Sequence, residues 1–424
     1  MRVESVRGMR DILPEEAWVW QAVEGMLRQV FALYGYEEIR LPVVERAELF
    51  SRGVGETTEV VHKEMYIFPD RKGLELALRP EATASVVRAY LEHGLYAKGG
   101  VTKLYYLGPM FRYEKPQMGR QRQFHQYGVE ALGSLDPALD AEVMALAWHL
   151  MEALELRGEH LLFRVNSIGC REDRPKYREA LRSYFAPHAA GLCPECQRRL
   201  EENPLRILDC KEPSCRELAR AAPRATDHLC PGCKEHFGQV LSFLDGLSLA
   251  YTEDPTLVRG LDYYTRTVFE LASRELGAQD ALLGGGRYDD LAEVLGGAPT
   301  PGVGFAGGME RLILVLTGQG VGAHERPVLD VYVVPIGAEA KRPAVELLAR
   351  LRKAGLCADM DYVGRSLRKM MEIAGKRARY ALILGPDELA RDQATVKNLA
   401  TGESQTCSLA EVPERLKRLA ERSC

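Results

Sequence analysis

The chain has 424 residues, of which 46% are hydrophobic and 27% are charged, and its formal net charge is −4. These values describe a water-soluble chain long enough for two or three domains. No apolar run is long enough to span a membrane, and the first 17 residues lack the uninterrupted apolar stretch of a secretory signal, so we expect a cytoplasmic protein with no membrane partner. The ten cysteines should then be reduced, which favours metal binding or packing over disulfides.

Charge is distributed unevenly along the chain, although its bulk value does not indicate a nucleic-acid partner. Residues 327–424 contain 17 Lys and Arg against 13 Asp and Glu, a net charge of +4, which leaves −8 for residues 1–326. Between these regions, the glycine-rich segment Thr317–Pro327 lacks apolar periodicity, as is typical of a linker. We therefore predict two domains, residues 1–325 and 326–424.

The first domain begins with a predicted helix that is followed by strands. Pro14 suits a first helical turn, and apolar residues recur at helical spacing from Trp20 to Tyr34. Further along, Leu74–Arg79 alternates in polarity as a strand does, and a proline ends it. Glu81 and Thr83 therefore lie at a strand-to-helix junction, a position where ligands are often bound.

A hairpin with an unusually polar face is predicted next. Its strands are Leu104–Arg112 and Arg122–Leu132, and antiparallel pairing that is symmetric about Gln117 puts Gln126 and Glu130 on the same face. A buried carboxylate or amide without partners costs roughly 1–3 kcal/mol, so a ligand or a neighbouring element must satisfy these groups. The alternative is a strand face exposed to solvent. The predicted face consists of Leu104, Tyr106, Gly108, Arg112, Arg122, Gln126, Gly128 and Glu130.

Six cysteines are concentrated between residues 193 and 233. Two pairs have the C-x-x-C spacing of zinc-binding turns, and a tetrahedral site made from these four thiolates is stereochemically reasonable. With the third pair, Cys210 and Cys215, the segment contains six thiols, which is more than one tetrahedral zinc site requires. The alternative is a set of reduced, partly buried cysteines without a metal. The four predicted zinc ligands are Cys193, Cys196, Cys230 and Cys233.

Two segments that follow are polar or rich in glycine. Leu257–Leu271 is a strand candidate, but it carries Arg259, Tyr263 and Tyr264, which is unusual for a core strand. Leu282–Leu291 contains three consecutive glycines, which permit a tight turn or the close approach of a ligand to the backbone.

Gly302, Gly304 and Gly307 satisfy the pattern G-x-G-x-x-G. No strand precedes them, so a dinucleotide-binding fold is rejected. We predict instead a glycine-rich strand over Gly302–Gly308 that lies beneath a flat ligand, with Arg311 in the first turn of the following helix. No phosphate-binding GxxxxGK[ST] loop and no HExxH pair occurs in the sequence.

The second domain is predicted to be small and to have a partly parallel sheet. Strand-like runs at Leu329–Gly337 and Tyr380–Gly385 alternate with helical patterns. Between them, Arg365–Arg379 contains six basic residues and one acid. The cations form either a solvated face or a contact surface for a phosphate backbone. The predicted buried stripe of this helix is Leu367, Met370, Met371 and Ala374.

Four motifs, in this order and spacing, resemble the histidyl-tRNA synthetase family of class II: FRYEKPQMGRQRQF, RGLDYYTRTVFE, GGGRYDDL and GVGFAGGMER. The N-terminal RGMRDILPEE also matches, and the resemblance extends over essentially the whole chain. It implies an α+β fold: a catalytic domain with an antiparallel sheet flanked by helices, a helical insertion at about residues 170–250 that contains the cysteines, and a C-terminal α/β anticodon-binding domain. The region around Pro42 is similar to the motif that forms a homodimer interface in this family.

The resemblance also implies an activity and a set of site residues. L-Histidine and ATP, with Mg²⁺, would give histidyl-adenylate, and the histidyl group would pass to the 3′ end of tRNA(His). Arg112 and Arg259 would be catalytic and hold the α-phosphate and the substrate carboxylate. The remaining ATP-binding residues would be Glu114 and Arg311, and the remaining histidine-binding residues would be Glu81, Thr83, Gln126, Glu130, Tyr263 and Tyr264.

Two other classes of protein fit the sequence less well. A regulatory relative that binds histidine without catalysis and has no anticodon-binding domain is disfavoured, because Arg112, Arg259, Arg311 and the basic C-terminal region are all present. A zinc-dependent nucleic-acid-binding module would leave the RGLDYY motif unexplained.

Overall fold

The computed structural model describes residues 3–55, 58–117, 119–156, 158–279, 281–320 and 329–421. Its contacts divide the chain into two compact units, residues 1–323 and 324–424. This division lies two residues from the predicted domain boundary, and the predicted linker lies outside the described residues from position 321 onward. Within the described ranges, no helix combines the length and the apolar character needed to cross a membrane.

The first unit is built on an eight-stranded sheet with the strand order β1-β5-β6-β11-β10-β9-β7-β8. The six central strands are antiparallel to one another, whereas the short edge strands β1 and β8 pair in parallel with β5 and β7. A separate three-stranded sheet has the order β2-β4-β3 and is antiparallel. The strands are β1 (Glu37–Glu38), β2 (Val44–Arg46), β3 (Tyr66–Pro69), β4 (Glu75–Leu78), β5 (Thr102–Phe111), β6 (Gln123–Leu132), β7 (Leu161–Ser167), β8 (Thr252–Glu253), β9 (Thr265–Ser273), β10 (Ala281–Arg287) and β11 (Gly302–Gly308).

Helices cover one face of the large sheet and form the main core with it. On β6, the odd-numbered residues Tyr127, Val129 and Ala131 belong to this core, so the even-numbered residues point to the opposite face. The predicted N-terminal helix is confirmed as α1, and Leu27 and Phe31 on it are fully buried. The helices of this unit are α1 (Pro14–Leu33), α2 (Ala47–Val54), α3 (Thr83–Glu92), α4 (Pro137–Ala153), α5 (Asp173–Phe185), α6 (Pro194–Glu202), α7 (Pro213–Arg220), α8 (Pro231–Gly246), α9 (Leu291–Val294) and α10 (Met309–Gly318).

The segment between β7 and β8 is helical, as the resemblance implied. Its helices α5, α6 and α7 share a small core of their own, whereas α8 packs against α4 in the main core. Proline occupies the first turn of α6, α7 and α8, where the absent N–H costs no hydrogen bond. The cysteine-rich segment is therefore divided between two cores.

The second unit has a five-stranded sheet with the order β13-β12-β14-β15-β16. The pairs of β12 with β13 and β14 are parallel and the others are antiparallel, which confirms the predicted partly parallel sheet. Its elements are β12 (Leu329–Pro335), α11 (Lys341–Lys353), β13 (Ala358–Met360), α12 (Leu367–Arg377), β14 (Ala378–Leu384), α13 (Pro386–Ala390), β15 (Gln393–Asn398), β16 (Ser404–Ser408) and α14 (Val412–Glu421).

Helix α12 differs in one respect from the predicted basic helix. Met370 and Ala374 are buried as expected, but Leu367 is 44% exposed because it occupies the first helical position, before the helix meets the sheet. Lys369 and Lys376 both pair with Glu372 on the same helix. Part of the positive charge is therefore neutralised locally.

Candidate active site

A cavity of about 680 Å³ lies at the face of the large sheet that carries the even-numbered residues of β6. Its wall combines strands, the N-terminus of α3 and the loop before β9. All ten residues that the sequence assigned to histidine or ATP line this one cavity. They are Glu81, Thr83, Arg112, Glu114, Gln126, Glu130, Arg259, Tyr263, Tyr264 and Arg311.

The β5–β6 hairpin has the predicted register. Gly108 lies opposite Gln126 and Leu104 lies opposite Glu130, as expected for pairing that is symmetric about Gln117. Gly128 is required because a Cβ there would lie 2.3 Å from the hydroxyl oxygen of Tyr106. The space above this glycine is therefore filled by the ring of Tyr106, and the face of the hairpin combines polar residues with an apolar cluster that includes Leu104 and Leu132.

Glu130 is the deepest carboxylate of the cavity, and its side chain is held by two hydroxyl groups. Thr83 donates a hydrogen bond of 2.7 Å to Oε1, and Tyr288 donates one of 2.5 Å to Oε2. Burial raises the pKa of Glu130 to about 8 in spite of these two donors. Gly304 lies beside Glu130, where a Cβ would come within 2.1 Å of Oε2. This group can exchange a proton or a hydrogen bond with a ligand near neutral pH.

Glu81 is fixed at the N-terminus of α3. Its carboxylate accepts hydrogen bonds from the backbone N–H groups of Thr83, at 2.7 Å, and Ala84, at 2.9 Å. Burial raises its pKa, and these two donors oppose the shift. The predicted strand-to-helix junction is thus present. Glu81 at this junction binds the first N–H groups of the helix and places a buried acidic group in the cavity.

Two polar atoms of the same face have no hydrogen-bond partner among the described residues. They are Oε1 of Gln126 and the hydroxyl oxygen of Tyr106, and both are buried. Buried polar atoms are normally satisfied, because leaving one unpaired costs about 1–3 kcal/mol. A polar ligand in the cavity would satisfy Gln126.

Tyr263 and Tyr264 lie on a loop, so the predicted strand over Leu257–Leu271 is wrong in its first half. The strand β9 begins only at Thr265. The tyrosine rings are 4.7 Å apart between centroids and both contribute to the cavity, although a strand would have placed them on opposite faces. The loop is held from outside by Arg206, which donates a 2.5 Å hydrogen bond to the carbonyl of Gly260.

Arg259 belongs to the same loop and is oriented by Glu270, a residue that the sequence-based prediction missed. Its Nη1 donates a 2.7 Å hydrogen bond to Glu270, which also pairs with Arg164. Gly284 on β10 makes room for it, because a Cβ there would lie 2.1 Å from the guanidinium. The signal for Glu270 was present in the sequence as a single acid inside the apolar run VFELA.

A second group of cations surrounds the loop that connects β5 and β6. Arg112 donates to the carbonyl of Pro80 at 2.9 Å, and Arg311 donates to the carbonyl of Ala281 at 2.9 Å. Glu114 accepts a 3.0 Å hydrogen bond from Arg120, another lining residue that the prediction did not include. Several fixed guanidinium groups therefore converge where a polyanion such as a triphosphate would bind.

The predicted zinc site does not form from the four cysteines proposed. Cys193 and Cys196 lie in one cluster with Cys210 and Cys215, and the other pair lies in a second cluster. The reason is topological: the first pair opens α6 in the small core of the insertion, whereas the second pair opens α8, which packs on the main core. The second cluster contains Cys170, Asp173, Cys230 and Cys233.

The cavity can bind a ligand that has an anionic part and a cationic part that donates hydrogen bonds. Buried carboxylates and hydroxyls (Glu81, Glu130, Thr83) provide acceptors, while Arg112, Arg259 and Arg311 provide positive charge. No side-chain nucleophile is required for a transfer that is driven by positioning and by stabilisation of charge on phosphoryl oxygens.

Comparison with known proteins agrees with this geometry. Residues 8–312 match the family described as histidyl-tRNA synthetase, and residues 330–419 match the anticodon binding domain. The histidine–tRNA ligase of Halothermothrix orenii is 50% identical over 420 residues, which cover 99% of this chain and 100% of that protein. The corresponding protein of Moorella thermoacetica is 50% identical, with 98% of each chain covered.

Solved structures show the same relationship. The crystal structure of apo histidyl-tRNA synthetase from S. aureus has a TM-score of 0.82 and 40% identity, and covers 98% of this chain and 100% of that one. A structure from Bacillus halodurans, described as an ATP phosphoribosyltransferase regulatory subunit/histidyl-tRNA synthetase, has a TM-score of 0.66 at 22% identity and shares the fold alone. The chain has the class II fold and belongs to the histidyl-tRNA synthetase family.

Proposed function

We propose that the cavity is the site where this chain, a histidine–tRNA ligase, joins L-histidine to ATP and passes the histidyl group to tRNA(His). The observation that supports this proposal most strongly is Glu130, a buried carboxyl group that accepts hydrogen bonds from two hydroxyl groups, in a cavity that is also lined by several arginines. An imidazole ring presents one N–H donor and one nitrogen acceptor, and a carboxyl group at this depth pairs with it in either protonation state.

The substrate amino acid is oriented by the two ends of the cavity. Glu81 and Gln126 offer oxygen acceptors to the ammonium group, and the unpartnered Oε1 of Gln126 supports this assignment. Tyr263 and Tyr264 form the aromatic wall beside the imidazole. Arg259 then faces the substrate carboxylate, which attacks the α-phosphate in line and releases pyrophosphate.

ATP is assigned to the arginine-rich side of the cavity. Arg112 and Arg259 stabilise the charge that develops on the α-phosphate, Arg311 binds the γ-phosphate, and Glu114 lies on the adenine side. The family implies Mg²⁺, which neutralises phosphate charge when bound. Glu270 would be the residue to hold it, because it is a lining carboxylate that is not assigned to the adenine side, and Mg²⁺ takes oxygen ligands from carboxylates and phosphates.

We assign the interface of a homodimer to the three-stranded sheet next to Pro42. Large apolar side chains are exposed on this sheet and around it, with Ile67 48% and Phe68 38% exposed, which is unusual unless a partner covers them. In the second unit, the match to the anticodon binding domain and the exposed cations of α12 support contact with the tRNA. Apolar and basic surfaces would thus serve different partners.

Histidine-dependent exchange between ATP and pyrophosphate, measured on the full chain, tests the proposed activity. A ligase gives exchange with histidine and none with other amino acids. A regulatory relative would bind histidine without exchange, and a nucleic-acid-binding module would do neither. Absence of exchange in a folded protein that binds tRNA would overturn the proposal.

A further inference from the structure

We propose that Cys193, Cys196, Cys210 and Cys215 form a tetrahedral zinc site that fixes one wall of the active-site cavity. Their Sγ atoms all lie within 4.8 Å of one another. The Sγ atoms of Cys193 and Cys210 are 3.9 Å apart, and a tetrahedron with Zn–S bonds of about 2.3 Å has an edge of about 3.8 Å. The four sulfur atoms therefore surround a space of the size that zinc occupies.

The local structure prepares these sulfur atoms to bind as thiolates. Cys193 occupies the N-cap position of α6 and Cys196 lies in its first turn, while Cys215 lies in the first turn of α7. Helix N-termini favour negative charge. The backbone N–H of Cys193 also points at Sγ of Cys215, at 3.2 Å, as N–H groups do around metal-bound sulfur.

Disulfides and simple packing explain the cluster less well. All four cysteines are free, and the 3.9 Å separation of Cys193 and Cys210 is nearly twice an S–S bond of about 2.05 Å. The surrounding helices α6 and α7 are short, at nine and eight residues. Small helical elements of this kind commonly need a metal to hold their fold.

The proposed site is connected to the cavity through the segment 203–211. Cys210 is both a proposed ligand and a lining residue, together with Asp209 and Lys211. Arg206 in the same segment holds the carbonyl of Gly260, next to Arg259. Because the metal would fix this segment, its loss would loosen the loop that carries Arg259.

The proposal is confined to the first cluster, because in the second cluster an aspartate takes the place of one cysteine and this aspartate already has a structural role. The carboxylate of Asp173 accepts hydrogen bonds from the backbone N–H of Cys230, at 2.8 Å, and of Cys170, at 3.2 Å. These bonds join the two ends of the insertion.

The zinc content of the full-length, untagged protein tests the proposal. Cys210→Ser/Cys215→Ser should contain about one equivalent of zinc less than Cys357→Ser, a matched control in which an exposed cysteine outside both clusters is changed. Cobalt substitution should give the intense visible bands of a tetrahedral thiolate site in the control and not in the double variant. Equal zinc in both variants, or less than about half an equivalent in the control, overturns the proposal.

A second variant covers the case in which the double variant does not fold. Cys215→His keeps a nitrogen ligand for zinc, whereas Cys215→Ser does not. The histidine variant should retain zinc and the thermal stability of the control, and the serine variant should lose both. The serine variant should also show a several-fold higher KM for histidine with a smaller change in kcat. If both single variants keep the zinc content of the control, the site is not where we place it.

Discussion

Two buried polar regions meet at consecutive residues, Arg287 and Tyr288, and they are built in opposite ways. Arg287 belongs to an anchor network, defined here as Arg287, Asp140, His236 and Asp289. Tyr288 belongs to the cavity floor, defined as Tyr288, Glu130, Thr83, Glu81 and Gln126. Both regions are inaccessible to solvent over most of their atoms, so burial alone does not distinguish a structural group from a functional one.

The anchor network satisfies its own charges. Arg287 pairs with Asp140 at 2.6 Å and donates to the carbonyls of Ser134 and Asp136. Burial alone would raise the pKa of Asp140, but the hydrogen bond from His236 and the charge of Arg287 outweigh it and lower this pKa. The region is complete without a ligand.

The cavity floor is incomplete by the same criteria. The pKa of Glu130 is raised to about 8 by burial, and no cation pairs with it among the described residues. Oε1 of Gln126 lacks a hydrogen-bond partner there as well. The contrast teaches that a buried polar group points to ligand binding when its charge or hydrogen bonds are left for another molecule to satisfy.

The largest expected effect comes from removing a cation of the cavity. Arg259→Ala should lower histidine-dependent ATP–pyrophosphate exchange by about 10³- to 10⁵-fold, the usual effect of deleting an arginine that stabilises a phosphoryl transition state. Its melting temperature should stay within a few degrees of the wild type, because the cavity does not carry the fold. Arg342→Ala, which removes an exposed cation of α11, is the control with unchanged exchange. Exchange at the wild-type rate in the Arg259 variant would refute the assigned role.

The converse change breaks the anchor network. Asp140→Asn removes the closest negative charge from the buried Arg287, which then pairs only with Asp289 at 3.2 Å, and should lower the free energy of unfolding of the first unit by about 3–5 kcal/mol. At low temperature, where the variant is folded, the KM for histidine should remain near the wild-type value. Glu142→Gln on the same helix, which breaks only a half-exposed pair with Lys103, should cost less than about 1 kcal/mol. Chemical denaturation measures both, and similar losses in the two variants would contradict the difference we draw.

Whether a feature could be predicted from the sequence depends on how far apart along the chain the interacting residues lie. The hairpin register was predictable because the period of two and a symmetric loop fix every pair from a single residue, Gln117. The resemblance to the family supplied the ten lining residues, which lie on strands, loops and helices around the cavity. Their individual roles remain predictions until they are tested.

The errors occurred where distant contacts decide the structure. The segment before Thr265 has the composition of a strand, but hydrogen bonds from Asp262 to the carbonyl of Val54 and from Arg206 to Gly260 hold it as a loop. Cysteine spacing identifies pairs but does not show which pairs meet. Tyr288 follows the three consecutive glycines, but its contact with Glu130 could not be predicted from the sequence, because this hydrogen bond spans 158 positions of the chain.

A smaller effect concerns stability and pH in the cavity floor. The pKa of Glu130 in the folded chain is about 8, against about 4.3 for an unfolded glutamate. The folded state therefore binds more protons between these values, and the contribution of Glu130 to stability falls as pH rises from about 4.3 to 8. Glu130→Gln should remove this dependence. The melting temperature of the variant relative to the wild type should therefore increase between pH 5.5 and 8.5, and the corresponding difference in the free energy of unfolding should change by up to a few kcal/mol. A difference that is constant with pH would show that the carboxyl is ionised throughout.

The smallest effect expected is on substrate selection, and it tests what the incomplete floor is for. If Glu130 recognises the imidazole N–H, Glu130→Gln should reduce the preference for histidine over thienylalanine, whose ring has a similar shape and no N–H, by about 10- to 100-fold in kcat/KM. In the wild type, the analogue leaves the carboxyl group of Glu130 without the N–H partner that histidine supplies, which weakens binding of the analogue. The amide of a glutamine can rotate, so the missing N–H weakens binding less in the variant. Tyr288→Phe removes only one donor to Glu130 and should change the preference by a smaller factor. An unchanged preference in Glu130→Gln would mean that the floor, like the anchor network, is complete without the substrate.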